Sequence, residues 1–210
     1  MSGKVNNYLF IDTAEGTRVL LCYGGEYYYD ENLKNAGSET LMPIIDGLLK
    51  KAGIKPSDID VFGACVGPGS FTGIRIGLTT IKTLCYALNK PCFGVNNLRL
   101  NSYNNNSDKV ISVADAGNKV CYVARFDGDT ELDTATCMTL DNAIELVKSH
   151  KDFSVSTDNK LSGIFTGTVG VAQREMKIAA EKHINALIDQ KDLLPLYIRK
   201  AQPERGEGDL

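Results

Sequence analysis

Histidine is nearly absent from this chain of 210 residues, which has only His150 and His183. Neither has a partner at the His-x-x-x-His spacing that lets two imidazoles on one helix face grip a metal. No metal site is therefore expected, no histidine-dependent triad can be written, and a metallopeptidase is poorly served. Both histidines read as solvated surface residues. The six cysteines, Cys22, Cys65, Cys85, Cys92, Cys121 and Cys137, include no Cys-x-x-Cys pair. They fall in or beside predicted strands and helices, and are expected to be small buried hydrophobes rather than disulfides or zinc ligands. Apolar runs fall well short of the ~20 residues a membrane helix needs. Residues 1–7 lead into a strand without a signal-peptide core, so a cytoplasmic location is expected. Basic excess is missing too. Lys and Arg number 23 against 26 Asp and Glu, for a net charge of -3 and a pI near 5.5, so the chain is not expected to grip nucleic acid by itself.

What is present is a core-forming composition, 43% hydrophobic, and one unusual stretch, Gly67-Pro68-Gly69-Ser70-Phe71-Thr72-Gly73-Ile74-Arg75-Ile76-Gly77. It follows the apolar run Val61–Val66, a predicted buried strand, and precedes Leu78–Leu88, apolar at helical spacing. Glycines here allow close approach and unusual backbone angles, while Pro68 fixes one φ. A glycine turn at a helix N-terminus suggests phosphate, since free N–H groups and the helix dipole converge there. The standard forms do not fit. A Walker loop ends in Gly-Lys-Ser/Thr, whereas Gly73 is followed by Ile74-Arg75. A dinucleotide fingerprint needs a small third residue where Thr72 stands, and a nucleophile elbow around Ser70 needs glycine where Pro68 and Thr72 stand. The plain reading is a tight structural turn, with Phe71 in the core and Ser70 or Thr72 capping the helix.

Along the chain, Tyr8–Asp12, Val19–Tyr23 and Glu26–Asp30 read as three strands, the last two joined by a Gly24-Gly25 hairpin. A linker over residues 31–38 leads to a helix from near Thr40, stopped by Gly53, with Leu41, Ile44, Ile45, Leu48 and Leu49 on one face and Pro43 early enough to be tolerated. After the glycine stretch a helix runs to Asn89, where Lys90-Pro91 ends it, and Cys92–Val95 closes the half. The polar run Asn101–Lys109 reads as an exposed connector. The pattern then restarts: strands at Val110–Ala114, Val120–Phe126 and Glu131–Met138, a helix capped by Asp141 and running to Lys148, a strand at Gly163–Thr166, and a helix over Arg174–Gln190. The tail begins with an extended piece from Leu194 to Arg199, and Glu204–Asp209 is expected to be loose. Two lobes, residues 1–100 and 101–210, each strand-strand-strand-helix-strand-helix, describe a duplicated α/β unit and the two-lobed actin-like ATPase (ASKHA) fold. In such a fold Asp12 and Asp115 would face the cleft, where paired acids suit magnesium. Yet Asp12 leads to Thr13-Ala14-Glu15-Gly16, and Glu15 puts negative charge where phosphate would lie. As turn caps, both acids need no further role. Gly73, Gly77, Thr80 and Ala87 give the long helix a small-residue surface, which either core packing or a partner helix could use.

The glycine stretch closely resembles the signature of the TsaB (YeaZ) family. The opening Leu9-Phe10-Ile11-Asp12-Thr13-Ala14, the pair Asp115-Ala116 with Tyr122, and Pro195-Leu196-Tyr197-Ile198-Arg199 resemble further segments of it, so the likeness runs from end to end. Gly117 stands where the family commonly has arginine, and Lys119-Val120 where Gly-Glu is common, so charge contacts through that turn are not carried over. The resemblance implies an actin-like subunit without catalysis or a cofactor of its own, acting in the synthesis of threonylcarbamoyladenosine on tRNA. It implies a heterodimer with a TsaD-like catalytic subunit that carries the metal, help in recruiting a TsaE-like ATPase, possible self-pairing through the same helices, and contact with tRNA only through the complex. The partner surface so implied uses Leu41, Ile44, Ile45, Leu48, Thr72, Ile76, Gly77, Thr80 and Thr83. The alternative is a nucleotide-dependent phosphotransferase using Asp12 and the glycine loop.

Overall fold

A computed structural model describes residues 7–34 and 37–198. The described residues up to Val95, joined by Met176–Pro195, make one compact unit, and Asn96–Glu175 with the described residues 196–198 make a second. The boundary thus lies a few residues before the one suggested by sequence, and the first unit reclaims a late segment. No helix among the described residues is long and apolar enough to cross a membrane.

The first unit is built on β1 (Tyr8–Asp12), β2 (Thr17–Tyr23), β3 (Glu26–Asn32), β4 (Val61–Gly67) and β5 (Cys92–Asn96), in spatial order β3-β2-β1-β4-β5. β1 pairs antiparallel with β2 and parallel with β4. It is buried throughout because both faces are covered, which is why its sequence is continuously apolar. Gly24 and Gly25 turn the β2–β3 hairpin at φ 59° and 88°, angles open to glycine. On one face of the sheet Leu9, Ile11 and Phe62 meet α1 (Ser38–Ala52) and α2 (Phe71–Leu88). α1 contributes Leu41, Ile45, Leu48 and Leu49, and α2 contributes Ile74, Leu78, Ile81 and Cys85, each at the three-to-four-residue repeat of a half-buried helix. On the other face Phe10 and Phe93 pack with ring centroids 5.5 Å apart.

The second unit holds α3 (Asn97–Ser102), β6 (Lys109–Gly117), β7 (Val120–Asp127), β8 (Thr130–Glu131), β9 (Thr136–Thr139), α4 (Leu140–Ser149), β10 (Ser154–Thr157) and β11 (Thr168–Val169). Its order β11-β10-β6-β7, with β8 and β9 both on β7, repeats the strand order of the first unit, although no helix joins β10 to β11 as α2 joins β4 to β5. Period-two alternation on β6 and β7 sends Ile111, Val113, Cys121 and Val123 to the core shared with α4, while Ala124 and Phe126 meet Leu98 of α3.

Several sequence expectations are corrected. Only Pro68–Ser70 is loop, because α2 begins at Phe71 and takes in Gly73 and Gly77. The connector expected over Asn101–Lys109 begins inside a helix, since α3 takes in Asn101 and Ser102. The strand predicted over Glu131–Met138 is two short strands. The strand expected at Gly163–Thr166 is absent, and β10 and β11 flank that position instead. Thr139, not Asp141, caps α4, its side chain accepting from the Asn142 N–H. α5 (Gln173–His183) ends a full seven residues before Gln190. Arg199 and Glu204–Asp209 lie outside the described residues.

Candidate functional site

The glycine stretch is assembled in the first unit from the end of β4, the start of α2 and the turn that leaves β1. Ser70 is the N-cap of α2, its hydroxyl accepting from the Gly73 N–H at 3.2 Å. The close approach that the glycines permit is made by the chain itself. A Cβ on Gly69 would lie 2.7 Å from the Ala14 Cβ, one on Gly73 2.0 Å from the Thr13 carbonyl oxygen, and one on Gly77 2.3 Å from the Thr13 Oγ1. The Ser70 N–H also donates to the Ala14 carbonyl at 3.0 Å. Thr13 and Ala14 therefore lie along glycines spaced four residues apart, and the close approach those glycines permit is taken by the chain's own backbone. Phe71 is half-buried rather than in the core, with the exposed Arg75 guanidinium 3.7 Å over its ring.

Asp12, at the end of β1, is 2% exposed and fully engaged. One carboxylate oxygen accepts from Arg18 Nη1 at 2.9 Å and the other from the Ala14 N–H at 3.0 Å. Arg18 is itself 2% exposed and also donates to the Glu15 carbonyl at 3.1 Å. Burial opposes its charge, but Asp12, Tyr29 and Glu15 outweigh that, so its pKa is raised and the guanidinium stays charged. Both oxygens of the Asp12 carboxylate are thus engaged within the chain. Sequence reading missed Arg18. Its signal was a cation directly adjoining the apolar run Val19–Cys22, a place where a charge needs a buried partner.

Asp115, in the second unit, is likewise a local cap. It accepts from the Gly117 N–H at 3.1 Å and from Lys160 Nζ at 3.1 Å. Its own N–H donates to Asp158 Oδ2 at 2.6 Å, and the Leu161 N–H donates to Asp158 Oδ1 at 3.0 Å. Burial raises the Asp158 pKa, only partly offset by those two N–H bonds. The histidines are half-buried rather than solvated. His150 Nδ1 faces the Leu146 carbonyl at 2.9 Å, which sets the tautomer so that Nε2 accepts from Arg125.

Of the residues predicted to form a partner surface, Leu41, Ile45, Leu48 and Gly77 are buried in the first unit. Ile44, Ile76 and Thr80 are half-buried, and Thr72 and Thr83 exposed. The sequence reading passed over two exposed neighbours on these helices, Met42 at 47% and Tyr86 at 79%. Their exposure is legible only once the buried stripes of α1 and α2 are fixed.

The profile of the family TsaD, tRNA N6-adenosine threonylcarbamoyltransferase, matches residues 31–187. The chain is 41% identical over 76 residues to a tRNA N6-adenosine threonylcarbamoyltransferase of Sphingopyxis alaskensis, covering 36% of this chain and 22% of the relative. It is 39% identical over 70 residues to the tRNA threonylcarbamoyladenosine biosynthesis protein TsaB of Bacillus subtilis, covering 33% of this chain and 31% of that protein. The matched stretches thus span a fifth to a third of these relatives' lengths. Among solved structures, YeaZ from Pseudomonas aeruginosa superposes with a TM-score of 0.76 at 18% identity, over 91% of this chain and 99% of that one. That likeness carries the fold.

Proposed function

The chain belongs to the TsaD family of tRNA N6-adenosine threonylcarbamoyltransferases, among its TsaB (YeaZ) members, and from that premise we propose that it is a non-catalytic scaffold subunit in threonylcarbamoyladenosine synthesis on tRNA. In this reading it pairs with a TsaD-like catalytic subunit, activates it, helps recruit a TsaE-like ATPase, and meets tRNA only through the assembly. The observation that carries the reading is the Asp12–Arg18 pair. In an actin-like enzyme the acid ending the first strand serves a metal–nucleotide complex, whereas here both its oxygens are taken by Arg18 and the Ala14 N–H.

What remains for function is the outer face of α1 and α2, where Ile44, Thr72, Ile76, Thr80 and Thr83 reach solvent wholly or in part. Short side chains on α2 let a second helix approach closely, and Ile76 supplies apolar area that association would bury. The test is copurification with the TsaD-like subunit of the same organism. The wild-type chain is expected to form a stable complex, and Ile76→Glu to weaken it by about tenfold or more while the free variant keeps its circular dichroism and melting temperature. An unchanged affinity in Ile76→Glu would remove α2 from the interface.

A further inference from the structure

Cys85, in the last turn of α2, and Cys92, the first residue of β5, are both 0% exposed in the core of the first unit. The turn between them is tight. Asn89 caps α2 at φ 52°, the Lys90 N–H donates to the Cys85 carbonyl at 3.0 Å, and the Cys85 sulfur lies 3.8 Å from the Pro91 carbonyl oxygen. The two thiols are thereby brought together, and the Cys85 S–H donates to the Cys92 sulfur. That bond, with burial, raises the Cys85 pKa, and the negative end of the α2 dipole acts in the same direction. Accepting it, with Lys82 nearby, lowers the Cys92 pKa against burial and the charges of Asp189 and Asp192. The pair is therefore asymmetric, with Cys92 the readier thiolate.

Residues 188–193 close the edge of β5 away from β4. Ile188 exchanges backbone hydrogen bonds with Cys92 at 3.0 and 2.8 Å, its carbonyl oxygen also lies 3.6 Å from the Cys92 sulfur, the turn Gln190–Asp192 packs on α2, and buried Leu193 joins the same core cluster as both cysteines. We propose that Cys85 and Cys92 are a modification site, a dithiol that hydrogen peroxide converts to an intramolecular disulfide when residues 188–193 lift from β5. The Cys92 sulfur attacks one peroxide oxygen, the O–O bond breaks, and the departing hydroxide leaves as water with the Cys92 proton. The Cys85 sulfur then attacks the sulfenic sulfur, the S–S bond forms, and the S–O bond breaks to release a second water with the Cys85 proton. The peroxide takes up the electron pair that the sulfurs lose.

The folded full-length chain is treated with hydrogen peroxide, quenched, unfolded and alkylated without reduction. The tryptic peptide over residues 83–99, which contains Cys85, Cys92 and no other cysteine, is then weighed. The wild type is expected to give this peptide unalkylated and short of two hydrogens, with both alkylation sites restored by a reductant. Alkylation of both cysteines after peroxide treatment would overturn the proposal. Cys85→Ser is expected to leave Cys92 as a sulfenic acid that dimedone traps, and Cys92→Ser to leave Cys85 a thiol; dimedone on Cys85 would overturn the assignment of Cys92 as attacker. Leu193→Ala, which loosens the covering segment, is expected to form the disulfide severalfold faster than Leu48→Ala, which loosens the same core beneath α1. Equal rates in these two variants would mean that residues 188–193 do not control access, and that part of the proposal would fall.

Discussion

Glycine has opposite meanings at different places in this chain, and substitution separates them. Gly73 lies in α2 where an added Cβ would meet the backbone oxygen of Thr13 at 2.0 Å, a neighbour that cannot swing aside. Gly47 lies in α1 with nothing within 4 Å of the same position. Alanine favours a helix interior over glycine by roughly 1 kcal/mol, so Gly47→Ala is expected to gain between about 0.5 and 1 kcal/mol in urea unfolding. At Gly73 the overpacking term, about 1–3 kcal/mol, outweighs the same gain, so Gly73→Ala is expected to lose stability. Equal responses at the two sites would mean that the turn of residues 12–14 does not sit on the glycine track. A second residue-scale test uses Asp158, whose folded pKa burial raises. A carboxyl raised on folding contributes stability that is fully present below its unfolded pKa and lost as pH rises through the folded value. The wild type is therefore expected to gain stability relative to Asp158→Asn as pH falls from 7 toward 4. A relative loss on acidification would contradict the sign.

At the scale of elements, the capping of α4 distinguishes two neighbouring side chains. Thr139 bonds the Asn142 N–H, whereas Asp141 merely sits in the first turn. Thr139→Ala is expected to cost about 1 kcal/mol, and Asp141→Ala a few tenths through the helix dipole. Hydrogen exchange of the first amides of α4 measures both, and the reverse ranking would restore Asp141 as the cap. The sequence signalled Asp141 as readily as Thr139, since both are good capping residues and only backbone geometry chooses between them. Elsewhere legibility followed burial pattern. β1, β2 and β4 stood out because their residues are apolar and β-branched or aromatic, and α1 because its apolar repeat ends at Gly53, which adopts φ 69°. α3 and β10 were hidden because polar residues fill buried places there. Ser156 of β10 is fully buried, yet its hydroxyl donates to the Asn101 carbonyl at 2.6 Å. Once satisfied by α3, a serine costs little to bury, and the hydrophobic pattern that marks a strand is lost.

For the whole molecule, the repeated strand order of the two sheets was legible, because turn chemistry and strand periodicity restart near Val110. The reassignment of Met176–Pro195 to the first unit was not, since it depends on long-range contacts: Tyr27 donates to Glu181 at 2.7 Å, Lys82 to the Leu193 carbonyl at 3.3 Å, and Cys92 bridges Ile188. The same holds for the candidate site. The glycine stretch was conspicuous, but that its approach is taken by residues 12–14, and that Asp12 is neutralised by Arg18, needed three-dimensional neighbours. Those two facts carry the central proposal, that the glycine turn and the acid ending β1 are engaged with the chain itself and do not serve a nucleotide. Calorimetry of magnesium and ATP titrated into the purified chain, with phosphate release followed alongside, tests this most directly. The account expects neither saturable heat nor turnover; tight binding accompanied by hydrolysis would contradict it.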